Sequence, residues 1–141
     1  MCYCCNNNRF FHILHNRFKH SLRTMVIAIF VYGTFKKSFS RNFLLKKFSA
    51  EFFCNGILQN YAMYDLGEFP GIRPRKDSTV KGEIFKINNK FLEYLDYIEN
   101  SYNRTLVKIH YDKDKMINCF TYIFKFDLKD EFIIKTGNWT E

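Results

Sequence analysis

The sequence predicts an α+β fold, namely a small mixed, mostly antiparallel β-barrel with two flanking helices. Six segments have the apolar or alternating pattern of strands and only two have a helical pattern, which disfavours a doubly wound parallel sheet. The length of 141 residues suits one domain with a single core. A 47% share of hydrophobic residues and a 19% share of aromatic residues exclude a disordered chain.

The first half of the predicted domain contains three strands and one helix. Residues 26–32 form a nearly continuous apolar run that ends at Gly33, as a buried strand does. Ser40 is placed to cap a helix over 41–48, with Phe43, Leu44 and Phe48 facing inward. Residues 51–58 and 61–66 are predicted as two strands that join near positions 59–60.

The second half begins with a predicted loop over 68–78, because this segment holds both prolines, Gly71 and a basic cluster of Arg73, Arg75 and Lys76. A strand over 79–87, interrupted at Gly82, leads to a helix over 91–100 that Asn88 or Asn89 can cap. Residues 104–111 and 117–126 alternate in polarity around the segment DKDK (112–115), which predicts a hairpin.

Residues 1–24 differ in composition from residues 25–141, which we take as the folded domain. The first 24 residues carry four basic residues and no acid, and they are expected to be a disordered tail or a mis-assigned start. An organellar transit peptide and a palmitoylated CYCC cluster remain alternatives. The segment lacks the apolar core of a secretory signal, and no apolar run of about 18 residues predicts a membrane span.

Charge and cysteine content narrow the predicted partners and location. The net charge of +8 is shared equally between residues 1–24 and the rest of the chain, and no basic cluster interleaves with aromatics, so nucleic-acid binding is not expected. Cys54 and Cys119 are isolated within predicted strands, which favours core positions in a reducing, cytoplasmic setting. No Cys/His spacing indicates a metal site.

Glu99 is the acidic residue that the helical pattern does not explain. At about 100° per residue, Phe91, Leu92, Leu95 and Ile98 form one apolar arc that also contains Glu99, whereas Glu93 lies on the opposite side. An ionised acid on a buried face costs several kcal/mol unless it is paired, protonated or used in chemistry. Glu99 is therefore a candidate general acid/base, and fraying of the helix end into solvent is the alternative.

The segment VYGTF (31–35) is the second candidate site. A strand that ends in glycine can present several backbone N–H groups in one direction, which suits a carboxylate or an oxyanion. An ordinary strand end gives the same pattern. Asp65, Glu68 and Glu83 are competing acids, for which turn formation or a solvated strand position is the simpler interpretation.

Five motifs together resemble the gamma-glutamylcyclotransferase-like family, which includes the avirulence-induced-gene-like proteins and the gamma-glutamylamine cyclotransferases. They are VYGTF (31–35), YDLGEFPGI (64–72), VKGEIF (80–85), LDYIENSYNR (95–104) and TGNW (136–139), in the family's order and spacing. The resemblance implies a small mixed barrel whose members release 5-oxoproline from gamma-glutamyl compounds without metal or cofactor. It also implies substrate binding by Tyr32, Gly33, Thr34 and Phe35, with Glu99 as the catalytic acid/base.

Three departures from the family pattern leave substrate specificity open. Phe35 replaces a usual leucine, Asn100 replaces a common glycine, and no glycine occurs at 36–38. Asparagine tolerates a left-handed backbone, so the turn after Glu99 can persist. The alternative functions are a binding module without turnover on the same fold and a basic adaptor that acts through residues 1–24 and 73–76. The expected partner is a small gamma-glutamyl substrate and not nucleic acid or a membrane, and the oligomeric state is open.

Overall fold

A computed structural model describes residues 27–141 of the chain. The predictions for residues 1–24 lie outside the described residues. The described part contains five strands and two α-helices, followed by a short 3₁₀ turn. In chain order they are β1 (Ile27–Val31), α1 (Asn42–Lys47), β2 (Glu51–Asp65), β3 (Pro70–Ile87), α2 (Asn89–Ile98), β4 (Tyr102–Tyr111), β5 (Lys115–Phe124) and the 3₁₀ turn (Asp130–Phe132).

The five strands close into a barrel in the order β1-β3-β2-β4-β5. Strand β1 runs antiparallel to β3, with Ile27 opposite Ile87, and it closes the barrel through a parallel pairing of Ile29 with Phe120 in β5. The other neighbours, including the β4–β5 hairpin, are antiparallel. The predicted fold class is therefore confirmed.

Strand β1 is apolar along its whole length because both of its faces are buried. Ala28 and Phe30 point into the barrel core, whereas Ile27, Ile29 and Val31 belong to a second core between the barrel and the helices. Successive side chains of a strand point to opposite faces, so only a strand covered on both sides needs apolar residues at every position. This arrangement places the end of β1 between the two cores.

Helix α2 forms as its pattern predicts. The side chain of Asn88 accepts a hydrogen bond of 2.9 Å from the N–H of Phe91, which satisfies an otherwise unpaired donor of the first turn. Phe91, Leu92 and Leu95 are buried in the core between helix and barrel. The apolar arc therefore fixes which side of α2 faces the barrel.

The segment 68–78, predicted as a loop, is mostly strand, and that prediction is wrong. Strand β3 starts at Pro70 and pairs with β2 from Asp65↔Pro70 to Tyr61↔Pro74. Proline is tolerated at the first residue of a strand and at irregular positions, so the two prolines did not prevent pairing. Ile72 is fully buried in the barrel core, which gives this segment an apolar anchor.

The two strands predicted over 51–58 and 61–66 are one strand, β2, with an irregularity between Gln59 and Tyr61. Asn60 takes up a left-handed backbone with φ of 63°, a conformation that asparagine tolerates. The strand bends at this residue and continues, because Tyr61–Asp65 finds partners in the first part of β3.

Two details of the helix predicted over 41–48 are also wrong. Ser40 does not cap α1; its hydroxyl instead donates to a carboxylate oxygen of Glu141 at 2.6 Å. Phe43 is 61% exposed, whereas Leu44 and Leu45 are the buried residues. A helix of six residues is too short for its periodicity to fix which side faces inward.

Cys54 and Cys119 are both buried in the barrel core, as expected. Within residues 27–141, neither helix has the length and apolar character needed to cross a membrane.

Candidate active site

The turn after β1 holds the first group of candidate residues. Its geometry is set by two hydrogen bonds, from Lys36 N–H to the Gly33 carbonyl at 3.0 Å and from Arg41 N–H to the Thr34 carbonyl at 2.9 Å. Among residues 27–141, no backbone hydrogen bond of the turns and loops has the N–H of Gly33, Thr34 or Phe35 as donor. In the described turns and loops, these three amide donors at the end of β1 thus have no backbone acceptor.

Gly33 is required by close packing. A Cβ at this position would lie 2.8 Å from Cγ of Pro70, closer than side-chain carbons approach one another. Pro70 begins β3 and its own carbonyl accepts a hydrogen bond of 2.9 Å from the Tyr102 hydroxyl. The glycine therefore lets the turn contact the start of β3.

Glu99 ends α2 and is buried. It is the C-cap residue, its N–H donates to the Leu95 carbonyl at 2.8 Å, and the residue is 8% exposed. The helix end does not fray into solvent, because the Glu99 carbonyl also accepts from the N–H of Tyr102, at 3.0 Å, where β4 begins.

One narrow crevice brings all five sequence-predicted site residues together. Its walls include Tyr32, Gly33, Thr34 and Phe35 on one side and Glu99 on the other. The crevice has a volume of about 40 Å³, which is room for roughly three water molecules. It lies where the barrel core and the helix-covered core meet, because Phe30 of the first and Phe91 of the second both line it.

Arg41 joins the two halves of the crevice, and sequence reasoning did not identify it. Its Nη2 donates to Oε1 of Glu99 at 3.0 Å, and its Nε donates to Oγ1 of Thr34 at 2.7 Å. The guanidinium carbon lies 4.3 Å from the centre of the Phe35 ring, in cation–π contact. Burial of Glu99 indicated that some cation should pair with it, but the chain offers 22 basic residues and no local pattern selects Arg41.

Burial and Arg41 act on the acidity of Glu99 in opposite directions. Desolvation is the larger effect and raises the pKa of Glu99 above its ordinary value, whereas the charge and hydrogen bond of Arg41 lower it. The net result is a pKa of Glu99 above its ordinary value. A carboxylate with a raised pKa accepts a proton more readily than an exposed one and can also return it.

Two tyrosine hydroxyls near Glu99 are already engaged. The Tyr32 hydroxyl donates to the Tyr122 carbonyl at 2.7 Å, and the Tyr102 hydroxyl donates to Pro70. Burial raises the pKa of both phenols well above 10, so they stay protonated at neutral pH. In this arrangement they shape the crevice and do not act as bases.

The competing acids lie outside this crevice. Oδ1 of Asp65 accepts from the N–H of Gly67 at 2.8 Å, which is the turn-forming role expected of it. Oε1 of Glu83 accepts from the N–H of Lys37 at 2.8 Å on the exposed side of the barrel. Within residues 27–141, no three His, Cys, Asp or Glu side chains gather closely enough to hold a metal ion.

The C-terminal TGNW motif (136–139) stabilises the segment that follows β1. The buried Lys36 donates through Nζ to Oδ1 of Asn138 and to the carbonyl of Trp139, both at 2.9 Å. Gly137 has φ of 65°, and its carbonyl accepts from the N–H of Lys81 in β3 at 2.8 Å. The motif therefore holds the segment after β1 against the barrel.

Two of the departures from the family pattern concern positions where glycine is usual, and the structure treats them differently. The segment 36–38 contains no glycine, and Ser38 within it takes up a left-handed conformation with φ of 68°. Asn100 is not among the described non-glycine residues with positive φ, so the turn after Glu99 does not need the left-handed tolerance of asparagine.

The closed barrel and its crevice define a protein of the gamma-glutamylcyclotransferase-like fold class. A family model described as "Gamma-glutamyl cyclotransferase, AIG2-like" matches residues 29–141, so the chain belongs to this family. Among curated proteins, the chain is 27% identical over 118 residues to the gamma-glutamylcyclotransferase family protein YtfP of Escherichia coli K12, covering 82% of this chain and 97% of that protein. It is 28% identical over 123 residues to a putative gamma-glutamylcyclotransferase of Vibrio cholerae, covering 80% and 95%.

Solved structures show the same fold at lower sequence identity. An AIG2-like protein of Mus musculus superposes with a TM-score of 0.70 at 24% identity, over 82% of this chain and 88% of that chain. An uncharacterized protein of Pyrococcus horikoshii gives a TM-score of 0.65 at 22% identity, over 79% and 88%. Family membership supports the interpretation of this protein as an enzyme of the gamma-glutamylcyclotransferase type.

Proposed function

We propose that the protein releases 5-oxoproline from a gamma-glutamyl amine or amino acid by intramolecular aminolysis, with Glu99 as general base and then general acid. The observation that carries this proposal is the buried carboxylate of Glu99 in the same crevice as the turn 32–35. The substrate is a small metabolite, and the cytoplasm is the proposed location.

The first step of the proposed reaction is a proton transfer. The α-ammonium of the gamma-glutamyl group gives a proton to Glu99, because only the neutral amine carries a lone pair that can attack. The raised pKa of Glu99 suits this acceptance of a proton. The amine nitrogen then attacks the γ-carbonyl carbon of the same molecule and closes a five-membered ring.

The second step breaks the original amide bond. Glu99 returns its proton to the leaving nitrogen as the carbon–nitrogen bond breaks, and the ring nitrogen passes its remaining extra proton to the released amine, so that 5-oxoproline and an ammonium product leave and the carboxylate is restored. Two protons thus move from the attacking nitrogen to the leaving nitrogen, the first of them by way of Glu99. The chemistry needs neither a nucleophilic side chain nor a redox partner.

The turn 32–35 is proposed to hold the glutamyl group in a folded conformation. The N–H groups of Gly33, Thr34 and Phe35 have no backbone acceptor among the described turn and loop hydrogen bonds, so they can bind the carboxylate or the developing oxyanion of the substrate. Holding amine and carbonyl together supplies a proximity effect that reaches about 7–11 kcal/mol in favourable cases.

The test compares two acids of the same helix. Wild-type protein, Glu99→Gln and Glu93→Gln are incubated with a panel of gamma-glutamyl amino acids and gamma-glutamyl-ε-lysine, and 5-oxoproline is measured by mass spectrometry. Glu93 is exposed on α2 and is the matched control. We expect Glu99→Gln to lower the rate by about 10²–10⁴-fold and Glu93→Gln to leave it unchanged.

Two outcomes contradict the proposal in different ways. If Glu99→Gln keeps the wild-type rate while its melting curve shows a folded protein, the role of Glu99 is refuted. If no compound of the panel yields 5-oxoproline, but some of them raise the melting temperature, the protein is the alternative binding module.

A further inference from the structure

A second, wider cavity adjoins the crevice. It has a volume of about 440 Å³ and shares Arg41, Phe69, Glu99 and Tyr102 with the crevice. We call it the outer groove. The crevice alone has room for only about three water molecules, so a substrate bound to the turn 32–35 has to extend into the outer groove.

Four of the nine residues that line the outer groove are apolar. Leu66 and Phe69 come from the β2–β3 connection, Ile98 from α2 and Phe124 from the end of β5. Phe69 is 42% exposed to solvent, although its neighbour Pro70 is buried. An aromatic ring that remains exposed beside a candidate catalytic carboxylate gains stability when an apolar ligand covers it.

The charges of the outer groove do not suit a cationic ligand. Glu99 is the single acid in its lining, and the carboxylate already accepts from Arg41 at 3.0 Å. The other polar lining residues, Asn100, Ser101 and Tyr102, are uncharged. A second ammonium group, such as that of a lysine leaving group, would find no free carboxylate there.

We propose that the outer groove binds the leaving group of the substrate and selects an apolar one, an aromatic or branched aliphatic amine or amino acid. This inference rests on the proposed function, because the glutamyl end must bind to the turn 32–35 for the leaving group to reach the groove. Phe69 is the specificity-determining residue, since it lines both cavities and is the most accessible part of the apolar wall.

The experiment separates binding from turnover. Gamma-glutamyl-phenylalanine and gamma-glutamyl-alanine differ only by a phenyl ring, and their affinities for the Glu99→Gln protein are measured by calorimetry together with that of gamma-glutamyl-ε-lysine. We expect the phenylalanine compound to bind at least about 10-fold more tightly than the other two. Phe69→Ala, added to Glu99→Gln, should remove most of this preference by weakening the binding of gamma-glutamyl-phenylalanine.

The matched control is Phe43→Ala, a second exposed phenylalanine that lines neither cavity. It should keep the full preference. Equal affinities for the three compounds, no binding of any of them, or a preference that survives Phe69→Ala would overturn the inference. Production of 5-oxoproline by the wild-type protein is measured separately, so a selective groove without turnover refutes the proposed reaction and leaves the groove assignment intact.

Discussion

Replacing Arg41 with methionine tests how Arg41 affects the pKa of Glu99, the proposed acid/base. The guanidinium of Arg41 is the cation that contacts Glu99, through the 3.0 Å pair between Nη2 and Oε1. Methionine keeps much of the side-chain length and removes the charge. Burial then acts on Glu99 without opposition, so the pKa of Glu99 rises further.

The size of the effect follows from the distance and from the exposure of the pair. Two unit charges about 4 Å apart attract by about 4 kcal/mol at an effective dielectric constant of about 20. The Arg41 side chain is 37% exposed and the Glu99 side chain 9%, so solvent screens part of this attraction. We expect about 1–2 kcal/mol of this attraction to remain. Its loss in Arg41→Met would lower the ionised fraction of Glu99 roughly 5- to 30-fold at a pH below its pKa.

The assay is the pH dependence of kcat/KM with a gamma-glutamyl amino acid that the wild-type protein cleaves. The acid limb reports the ionisation of the base in the free enzyme. For Arg41→Met it should move to higher pH, with activity recovering as the pH is raised. Arg41→Lys is the control, because it keeps the positive charge and loses the hydrogen bond from Nε to Thr34.

Two results would refute this reasoning. An acid limb that stays in place while activity falls equally at every pH would mean that Arg41 binds substrate and does not tune Glu99. A limb that moves to lower pH would contradict the assigned balance between burial and charge.

Two further predictions concern stability. Because burial raises the pKa of Glu99 in the folded protein, the stability that its protonated form contributes is complete below the unfolded pKa and is lost as the pH rises through the folded pKa. The melting temperature of Glu99→Gln relative to wild type should therefore increase across this window, and a constant difference would contradict the shift. Gly137→Ala would place a Cβ 2.1 Å from the Thr79 carbonyl oxygen in a left-handed turn, so we expect a loss of about 2–4 kcal/mol, roughly 10 °C in melting temperature. Gly67→Ala, also at positive φ but in open space, should cost about 1 kcal/mol, and equal losses in calorimetry would exclude the clash.

Local sequence patterns were sufficient for several elements of the fold. Helix α2 has the length and the apolar spacing that make a helical pattern unambiguous, and its Asn88 cap has a side chain suited to that position. The β4–β5 hairpin has alternating polarity on both sides of a short polar turn. In such cases the residues that determine an element lie within the element itself.

Other elements depended on residues far away in the chain. The first part of β3 has the prolines and glycine of a loop, yet Tyr61–Asp65 of β2 pairs with it and Ile72 is buried in the core. Helix α1 is too short for its periodicity to orient it, so Phe43 faces solvent contrary to expectation. Tertiary pairing and packing decided both segments.

The sequence by itself placed Glu99 on the apolar arc of its helix and a glycine after the first strand, because both features depend on the spacing of neighbouring residues. Only the tertiary structure decided that Glu99 is buried, that it shares one crevice with the turn, that Arg41 pairs with it across 58 positions of the chain, and that a wider groove lies beside them. Closing the barrel brings these residues together, and no local pattern specifies which distant side chains will meet when it closes.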